Sequence, residues 1–192
     1  MKLLKLAAGI LAIAAPIAAM AQTSTWKSDP AHTEVDFTIK HLGVSNVHGR
    51  FGHVDATIVY DDKDITKSSV NATIDVGGLS TGEPQRDGHL KTPDFFDVAQ
   101  YGTATFVSTS VAKGGSGLQV SGNLTLHGVT KPVVLDVAYG SPVASPMDTK
   151  LHTGFSATTT ISRSDFGIGP KFGAGILGDD VKISIDLDAI KQ

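Results

Sequence analysis

The sequence contains no cysteine and only two glutamates, Glu34 and Glu83. The absence of cysteine excludes disulfides, thiolate metal sites, cysteine nucleophiles and the cysteine that anchors a lipoprotein. Helix-rich proteins use glutamate freely, whereas this chain is rich in Val, Thr, Ser, Gly and Asp, which favours strands and turns. Sixteen basic against 19 acidic residues leave no excess of positive charge for a phosphate backbone. We therefore expect no nucleic-acid partner.

The first 21 residues have the pattern of a cleaved secretory signal peptide. Lys2 and Lys5 precede an uncharged stretch over 6–21, which ends in Ala19-Met20-Ala21, a small-x-small cleavage site. The uncharged stretch is shorter than the roughly 20 residues that span a bilayer, which disfavours the alternative of a membrane anchor. We predict cleavage after residue 21, a single domain over 22–192, and export to the bacterial periplasm.

The rest of the chain is dominated by the period-two alternation of half-buried β-strands. In one run Val35, Phe37 and Ile39 alternate with polar residues, and Val181, Ile183 and Ile185 do the same near the end of the chain. Turn signals separate the runs. About eight strands are predicted, within 35–40, 54–60, 70–76, 103–112, 117–126, 131–139, 151–161 and 180–190.

The stretch 83–101 interrupts this pattern. It lacks alternation, and Pro84 suits the first turn of a helix. We predict short helical turns here, one starting at Pro84 and one at Asp94.

Eight antiparallel strands hide their edges completely when they close into a barrel, although a two-sheet sandwich competes. The fold class is therefore predicted as all-β, an eight-stranded antiparallel barrel with short helical turns capping one end. One face of the 151–161 run mixes large residues such as Phe155 with small ones such as Ala157. Such a face underfills a core and indicates an internal cavity, because eight strands can enclose one slim ligand.

Motifs that carry catalysis or bind metal are absent from the sequence. It contains no His-Glu-x-x-His, no Walker loop and no Gly-x-Ser-x-Gly. Four histidines lie within 32–53, but a zinc site needs ligands that converge, and this spacing does not predict convergence. We interpret them as structural or surface histidines and expect no metal and no cofactor.

A second group, Arg86, Asp87 and His89, combines a charge pair with an imidazole, which acid–base chemistry could use. The alternative is an ion pair that fixes a helix to the barrel rim. No accompanying nucleophile is visible, so we expect no catalytic residue.

Several motifs resemble the YceI-like, polyisoprenoid-binding family, in order and over essentially all of 26–190. Two positions depart from the family pattern: Thr33 replaces the usual serine, and Gly102 replaces the usual proline after Tyr101. The matching segments are His32-x-x-Val35-x-Phe37, Lys40-His41-Leu42-Gly43, Gly49-x-Phe51, Thr81-Gly82, Arg86-Asp87-Gly88-His89-Leu90-Lys91, Asp94-Phe95-Phe96-Asp97, Thr105-Phe106-x-Ser108-Thr109, Gly122-x-Leu124-Thr125-Leu126-x-Gly128-Val129-Thr130-Lys131-Pro132-Val133 and Arg163-Ser164-Asp165-Phe166-Gly167.

The resemblance implies a periplasmic, lipocalin-like barrel that holds a long isoprenoid, such as a quinone, or another amphiphilic chain as a binding or carrier protein. Contact with a membrane would be transient. The predicted ligand-lining residues are Phe37, Ile39, Phe51, Ile58, Ile74, Phe106, Leu124, Leu135, Phe155 and Ile183 in the barrel, with Leu90, Phe95 and Phe96 at its mouth. The candidates for head-group contact are His41, Arg86, Asp87 and His89, because the polar segment 83–101 interrupts the strands.

Two other functions stay open from the sequence. Arg86, Asp87 and His89 could act as an enzyme on an amphiphile at the rim. Alternatively, the barrel could be an accessory or stress-response module that works through a protein partner. A homodimer also stays open.

Overall fold

The computed structural model describes residues 23–115 and 117–192. The predicted signal peptide and its cleavage site lie outside these residues. The described chain forms eleven strands, one α-helix and two 3-10 helices, the latter over Ile65–Lys67 and Arg163–Phe166. The strands and the helix are β1 (Thr23–Ser28), β2 (Glu34–His41), β3 (Ser45–Arg50), β4 (Val54–Asp61), β5 (Ser69–Asp75), α1 (Pro84–Leu90), β6 (Thr103–Gly114), β7 (Gly117–Leu126), β8 (Val129–Tyr139), β9 (Val143–Ala144), β10 (Leu151–Ser162) and β11 (Leu177–Lys191).

Eight of these strands close into an antiparallel barrel, as the sequence predicts. Going around the ring, the order is β11, β1, β4, β5, β6, β7, β8 and β10, and β10 pairs with β11 to close it. Closure leaves the ring without a free edge, which is the physical reason to prefer a barrel over a sandwich. The fold is therefore all-β and lipocalin-like.

Strand β11 is long enough to pair with two different strands along one edge. Its first part pairs with β2, in a register that includes Ile183 opposite Phe37, and its last residues pair with β1. Strand β3 extends this side of the sheet as the hairpin partner of β2. Neither β1 nor β3 is among the strands predicted from alternation.

The predicted helical cap is partly correct. Helix α1 begins at Pro84, and the Glu83 side chain accepts hydrogen bonds from the backbone N–H groups of Gln85 and Arg86. The second predicted helical turn, at Asp94, does not form a helix. The chain there forms hydrogen-bonded turns instead, in which the Phe95 and Asp97 N–H groups both donate to the Thr92 carbonyl.

Buried side chains form the two ends of the barrel. Beneath the cap, Phe96, Phe166 and Val76 pack together, and at the opposite end Trp26 packs with Ile58 and Ala189. Between these ends the inward side chains line open space, which is where the candidate site lies.

Candidate functional site: a cavity inside the barrel

The barrel encloses a cavity of about 480 Å³. This volume falls within the range of about 300–1,000 Å³ that is typical of small-molecule sites. The wall is made by alternate residues of the strands, which face inward because successive side chains point to opposite faces of a sheet. In β10, for example, Phe155, Ala157, Thr159 and Ile161 all line it. The cavity that the small residues of this strand indicate is present.

Every residue predicted to line the barrel or its mouth does line this cavity. The predicted face of each strand was therefore the inward one, from Phe37 on β2 to Ile183 on β11. The full set is Phe37, Ile39, Phe51, Ile58, Ile74, Leu90, Phe95, Phe96, Phe106, Leu124, Leu135, Phe155 and Ile183. Their role as contacts of a bound ligand stays a prediction.

Two glycines allow aromatic rings to lie flat against the wall. A Cβ added at Gly49 would collide with the ring of Phe37 on the neighbouring strand, and one added at Gly122 would collide with the ring of Phe106. Glycine supplies the room that these rings occupy, so the cavity beside them stays open.

Aromatic side chains from three segments gather at the capped end. Phe95 stacks on Phe172, with centroids 5.1 Å apart, and the His89 ring meets Phe95 edge-on at 5.0 Å. Phe51 meets Phe96 edge-on at 5.9 Å. The cap, the 167–176 loop and the β3–β4 connection thus meet in one aromatic cluster over the cavity.

Three of the four head-group candidates, His41, Arg86 and His89, line the cavity. His41 is the last residue of β2 and lies opposite Leu177 of β11. In α1, Arg86 donates from Nε to the Thr81 hydroxyl at 2.7 Å and from Nη2 to the Thr81 carbonyl at 3.1 Å. Thr81, which precedes α1, thereby fixes the position of this guanidinium at the cavity wall.

Asp87 is not among the residues that line the cavity. Its carboxylate accepts hydrogen bonds from the backbone N–H and hydroxyl of Thr81 and from the hydroxyl of Ser80. These bonds, first of all that of the Thr81 hydroxyl, hold the pKa of Asp87 below its ordinary value. Asp87 and Arg86 therefore both hold the cap through Thr81, and among the described residues no salt bridge joins the two side chains, unlike the predicted ion pair.

His89 belongs to a separate polar group. Its Nε2 lies 3.5 Å from Oδ2 of Asp94, whose Oδ1 accepts a hydrogen bond from Lys171 Nζ at 2.5 Å. The Lys171 ammonium, followed by His89, holds the pKa of Asp94 below its ordinary value. Because Asp87 and His89 bind different partners, they do not form an acid–base pair with each other.

Arg163 is a charged cavity residue that the sequence reasoning missed. It is only 5% exposed, lies at the start of a 3-10 helix and lines the cavity. The period-two pattern contained the signal, because residue 163 continues the inward phase of 155, 157, 159 and 161.

The guanidinium of Arg163 donates all of its N–H groups to backbone carbonyls. Nε donates to Gly178, Nη1 donates to Ile168 and Gly169, and Nη2 donates to Phe172 and Leu177. A guanidinium has five N–H groups, so each of them has an acceptor. Arg163 thus fixes the loop that carries Phe172 and Lys171 over the cavity.

An eight-stranded closed barrel around an apolar cavity defines the lipocalin-like class of architecture. The YceI-like domain model matches residues 26–189. A UPF0312 protein of Vibrio cholerae is 39% identical over 170 residues, which cover 88% of this chain and 89% of the relative. Protein YceI of Salmonella arizonae is 38% identical over 161 residues, covering 84% of this chain and 83% of that one. The chain belongs to the YceI-like family.

Solved structures agree with the fold. Burkholderia cenocepacia BcnA matches with a TM-score of 0.74 at 28% identity, covering 84% of this chain and 98% of that chain. A polyisoprenoid-binding domain of Saccharophagus degradans, implicated in plant cell wall breakdown, matches with a TM-score of 0.64 at 16% identity, covering 87% and 98%. Among the described residues no helix is long and apolar enough to cross a membrane.

Proposed function

We propose that this protein binds a long isoprenoid amphiphile, of the quinone or polyprenyl type, inside its barrel and carries it without chemical change. The observation that carries the proposal is that the cavity wall is almost entirely apolar, with its charged or titratable side chains at one end. Apolar side chains form nearly all of its wall, and the polar ones are His41, Ser69, Arg86, His89, Thr159 and Arg163. Ser69 and Thr159 are uncharged. The charged or titratable groups are therefore the other four, His41, Arg86, His89 and Arg163.

These four groups gather at one end. His41 lies opposite Leu177, and Arg163 donates to the carbonyls of Leu177 and Phe172. The His89 ring meets Phe172 at 6.2 Å, and Arg86 precedes it by three residues in α1. The cavity therefore has an apolar body and a polar end, which matches a ligand with a long tail and a polar head.

The energetics suit a prenyl chain. Burying each methylene group contributes about 0.8 kcal/mol, and only part of this sum survives the cost of ordering a flexible chain. A quinone or phenol head needs hydrogen-bond donors when it leaves water. Arg86 uses two of its N–H groups on Thr81, which leaves others for a ligand. The Saccharophagus degradans neighbour, described as polyisoprenoid-binding, supports this ligand class.

The proposed setting is the periplasm, on the strength of the signal-peptide pattern over 1–21. A carrier there collects its ligand from a membrane in transient contacts. Leu42 and Val44, in the β2–β3 hairpin, and Ile176 are exposed apolar residues, and the Leu42 N–H donates to the Ile176 carbonyl. Since Ile176 also lines the cavity, these three side chains offer an apolar path between the cavity and a lipid surface.

The test is direct identification of the ligand. The full-length chain is expressed in a bacterium and purified gently, and an organic extract is analysed by mass spectrometry. We expect an isoprenoid lipid, and we expect the delipidated protein to take up an added long-chain prenylquinone. Absence of lipid together with absence of uptake would contradict the proposal.

A cavity-filling variant tests whether the ligand binds inside the barrel. Ala157→Phe places a ring in the cavity, whereas Thr158→Phe places the same ring on the outer face of the same strand. We expect Ala157→Phe to lower prenylquinone uptake at least tenfold and Thr158→Phe to leave it unchanged. Circular dichroism and thermal unfolding of both variants establish that they fold.

A further inference from the structure

A histidine and two aspartates meet on the outside of the barrel, away from the lipid cavity. Asp29 and His32 lie in the connection between β1 and β2, and Asp188 lies on β11. Asp188 follows Leu187, which lines the cavity, so the Asp188 side chain points to the outer face. One ligand atom from each of the three residues lies within 4.8 Å of the other two.

The backbone fixes these two segments against each other. The Asp29 N–H donates to the Asp188 carbonyl at 2.7 Å, and the Thr33 hydroxyl donates to the same carbonyl at 3.4 Å. The connection cannot swing away from β11 without breaking these bonds. The three side chains are therefore held together by the fold, and not only by their own attraction.

The carboxylates are also oriented. Asp29 Oδ1 accepts a hydrogen bond from the Ala31 N–H at 3.0 Å, and Oδ2 lies 2.7 Å from His32 Nδ1. The Asp188 carboxylate lies 3.0 and 3.2 Å from Nδ1 of His152, whose Nε2 lies 3.2 Å from Asp148. His152 and Asp148 thus form an outer layer of the kind that orients metal ligands.

We propose that Asp29, His32 and Asp188 bind one divalent transition-metal ion of the zinc class, with water completing its coordination. An imidazole nitrogen with two carboxylate oxygens is a donor set that zinc accepts at about 2.0–2.2 Å. Ligands of a tetrahedral ion at that distance lie about 3.4 Å apart. His32 Nδ1 and Asp29 Oδ2, now 2.7 Å apart, therefore have to separate slightly, whereas ligand atoms that lie up to 4.8 Å from each other have to approach. The ion takes the place of the proton between His32 and Asp29.

Charge and exposure favour a cation at this position. The side chains of Asp29 and Asp188 are only 17% and 29% exposed, so their negative charges are less screened than those of free surface carboxylates. His32 is 70% exposed, which leaves an open side for entry of the ion and for water. The alternative is a cluster of protonated histidines paired with aspartates, and the experiment distinguishes the two.

The test uses the full chain without an affinity tag, treated with chelator and dialysed. Zinc is titrated by calorimetry, and cobalt is added separately to record the absorption of a bound ion. We expect one zinc per chain with micromolar or tighter affinity, and weaker binding of calcium because of the imidazole ligand. We also expect the unfolding temperature to rise with zinc concentration, since the ion joins two segments of the folded chain.

His32→Ala is the diagnostic variant, because this exposed side chain can be removed without disturbing the core. The matched control is His53→Ala, which removes another exposed histidine that pairs with one aspartate, Asp55, at 3.0 Å. We expect His32→Ala to weaken zinc binding at least tenfold and to abolish the zinc-dependent rise in unfolding temperature, while the control changes neither. Equal zinc binding by wild type and His32→Ala, equal loss in both variants, or tighter binding of calcium would overturn the proposal.

Discussion

Phe172 stacks on Phe95 over the capped end of the cavity, with ring centroids 5.1 Å apart and ring planes 18° apart. The stack joins the 167–176 loop to the turns that follow α1. One residue before Phe172, Lys171 binds Asp94, which comes just before Phe95. An apolar and an ionic contact therefore hold the same two segments together, and a ligand that enters from this end has to separate them.

The ionic contact predicts a pH dependence in acid. The pKa of Asp94 is lowered in the folded state, chiefly by Lys171. A group with a lowered folded-state pKa stabilises the fold above its unfolded pKa, near 4, and this contribution is lost as the pH falls through the folded-state value. Lys171→Met removes the largest cause of this lowered pKa. We expect the unfolding temperatures of wild type and Lys171→Met to differ by a constant amount above about pH 5 and to converge in more acidic solution.

Thermal unfolding between roughly pH 2.5 and 7 provides the measurement for both proteins. Lys150→Met is the control, since Lys150 lies in the β9–β10 connection outside this contact. A gap between wild type and Lys171→Met that widens toward low pH would contradict the assignment.

Arg163 is expected to be a costly side chain to remove. Arg163→Met removes the guanidinium donor from five buried or half-buried carbonyls, of which that of Gly169 keeps a bond from the Phe172 N–H. Each carbonyl left without a partner costs about 1–3 kcal/mol before the loop relaxes. We expect a loss of at least about 3 kcal/mol in the free energy of unfolding. Arg163→Lys should recover little, because an ammonium cannot reproduce the planar fork.

Urea unfolding followed by circular dichroism measures these losses. A loss below about 1 kcal/mol for Arg163→Met would show that water replaces the guanidinium and that the loop does not depend on it.

The close contact between Gly49 and the Phe37 ring predicts that a larger residue at position 49 lowers ligand affinity. In Gly49→Ala the new methyl group collides with the Phe37 ring, which has to move into the cavity. We expect a loss of about 1–3 kcal/mol in stability and a several-fold loss in prenylquinone affinity. Gly154→Ala is the matched control, because a Cβ there meets nothing within 4 Å. Equal prenylquinone affinities of the two variants would contradict this prediction.

The strands and the inward faces could be predicted because alternation determines both. In β2, β4, β5 and β11 one face is consistently apolar, so the phase of the pattern gives the wall of the cavity. Strand β3 could not be predicted in this way, since Ser45–Arg50 contains one large apolar residue, Val47, and its pairing with β2 determines its conformation. Contacts between distant segments, such as Asp29 with Asp188, depend on how the barrel closes and leave no local signal.

The cap over 83–101 could likewise be predicted only where the signal is local. Pro84 and the preceding Glu83 are local signals, and α1 begins where they indicate. The roles of Arg86, Asp87 and His89 could not be separated from sequence, because their proximity in the chain does not reveal which way each side chain points. In the structure Asp87 and Arg86 both bind Thr81, whereas His89 contacts Asp94. Arg86 and His89 line the cavity, and Asp87 does not.

The different contacts of Arg86, Asp87 and His89 predict which of them distinguish the head of a ligand from its tail. Binding of a prenylquinone and of a matched hydrocarbon without a head group is measured for wild type, His89→Ala, Arg86→Ala and Asp87→Ala. His89 and Arg86 line the polar end of the cavity, so we expect their removal to weaken prenylquinone binding by about 1 kcal/mol or more and to leave hydrocarbon binding nearly unchanged. Asp87 binds Thr81 and Ser80 instead, so Asp87→Ala should lower the unfolding temperature and affect both ligands alike. If both ligands lose affinity equally in all three variants, none of these residues contacts the head group, and the whole cluster serves only to fix the cap.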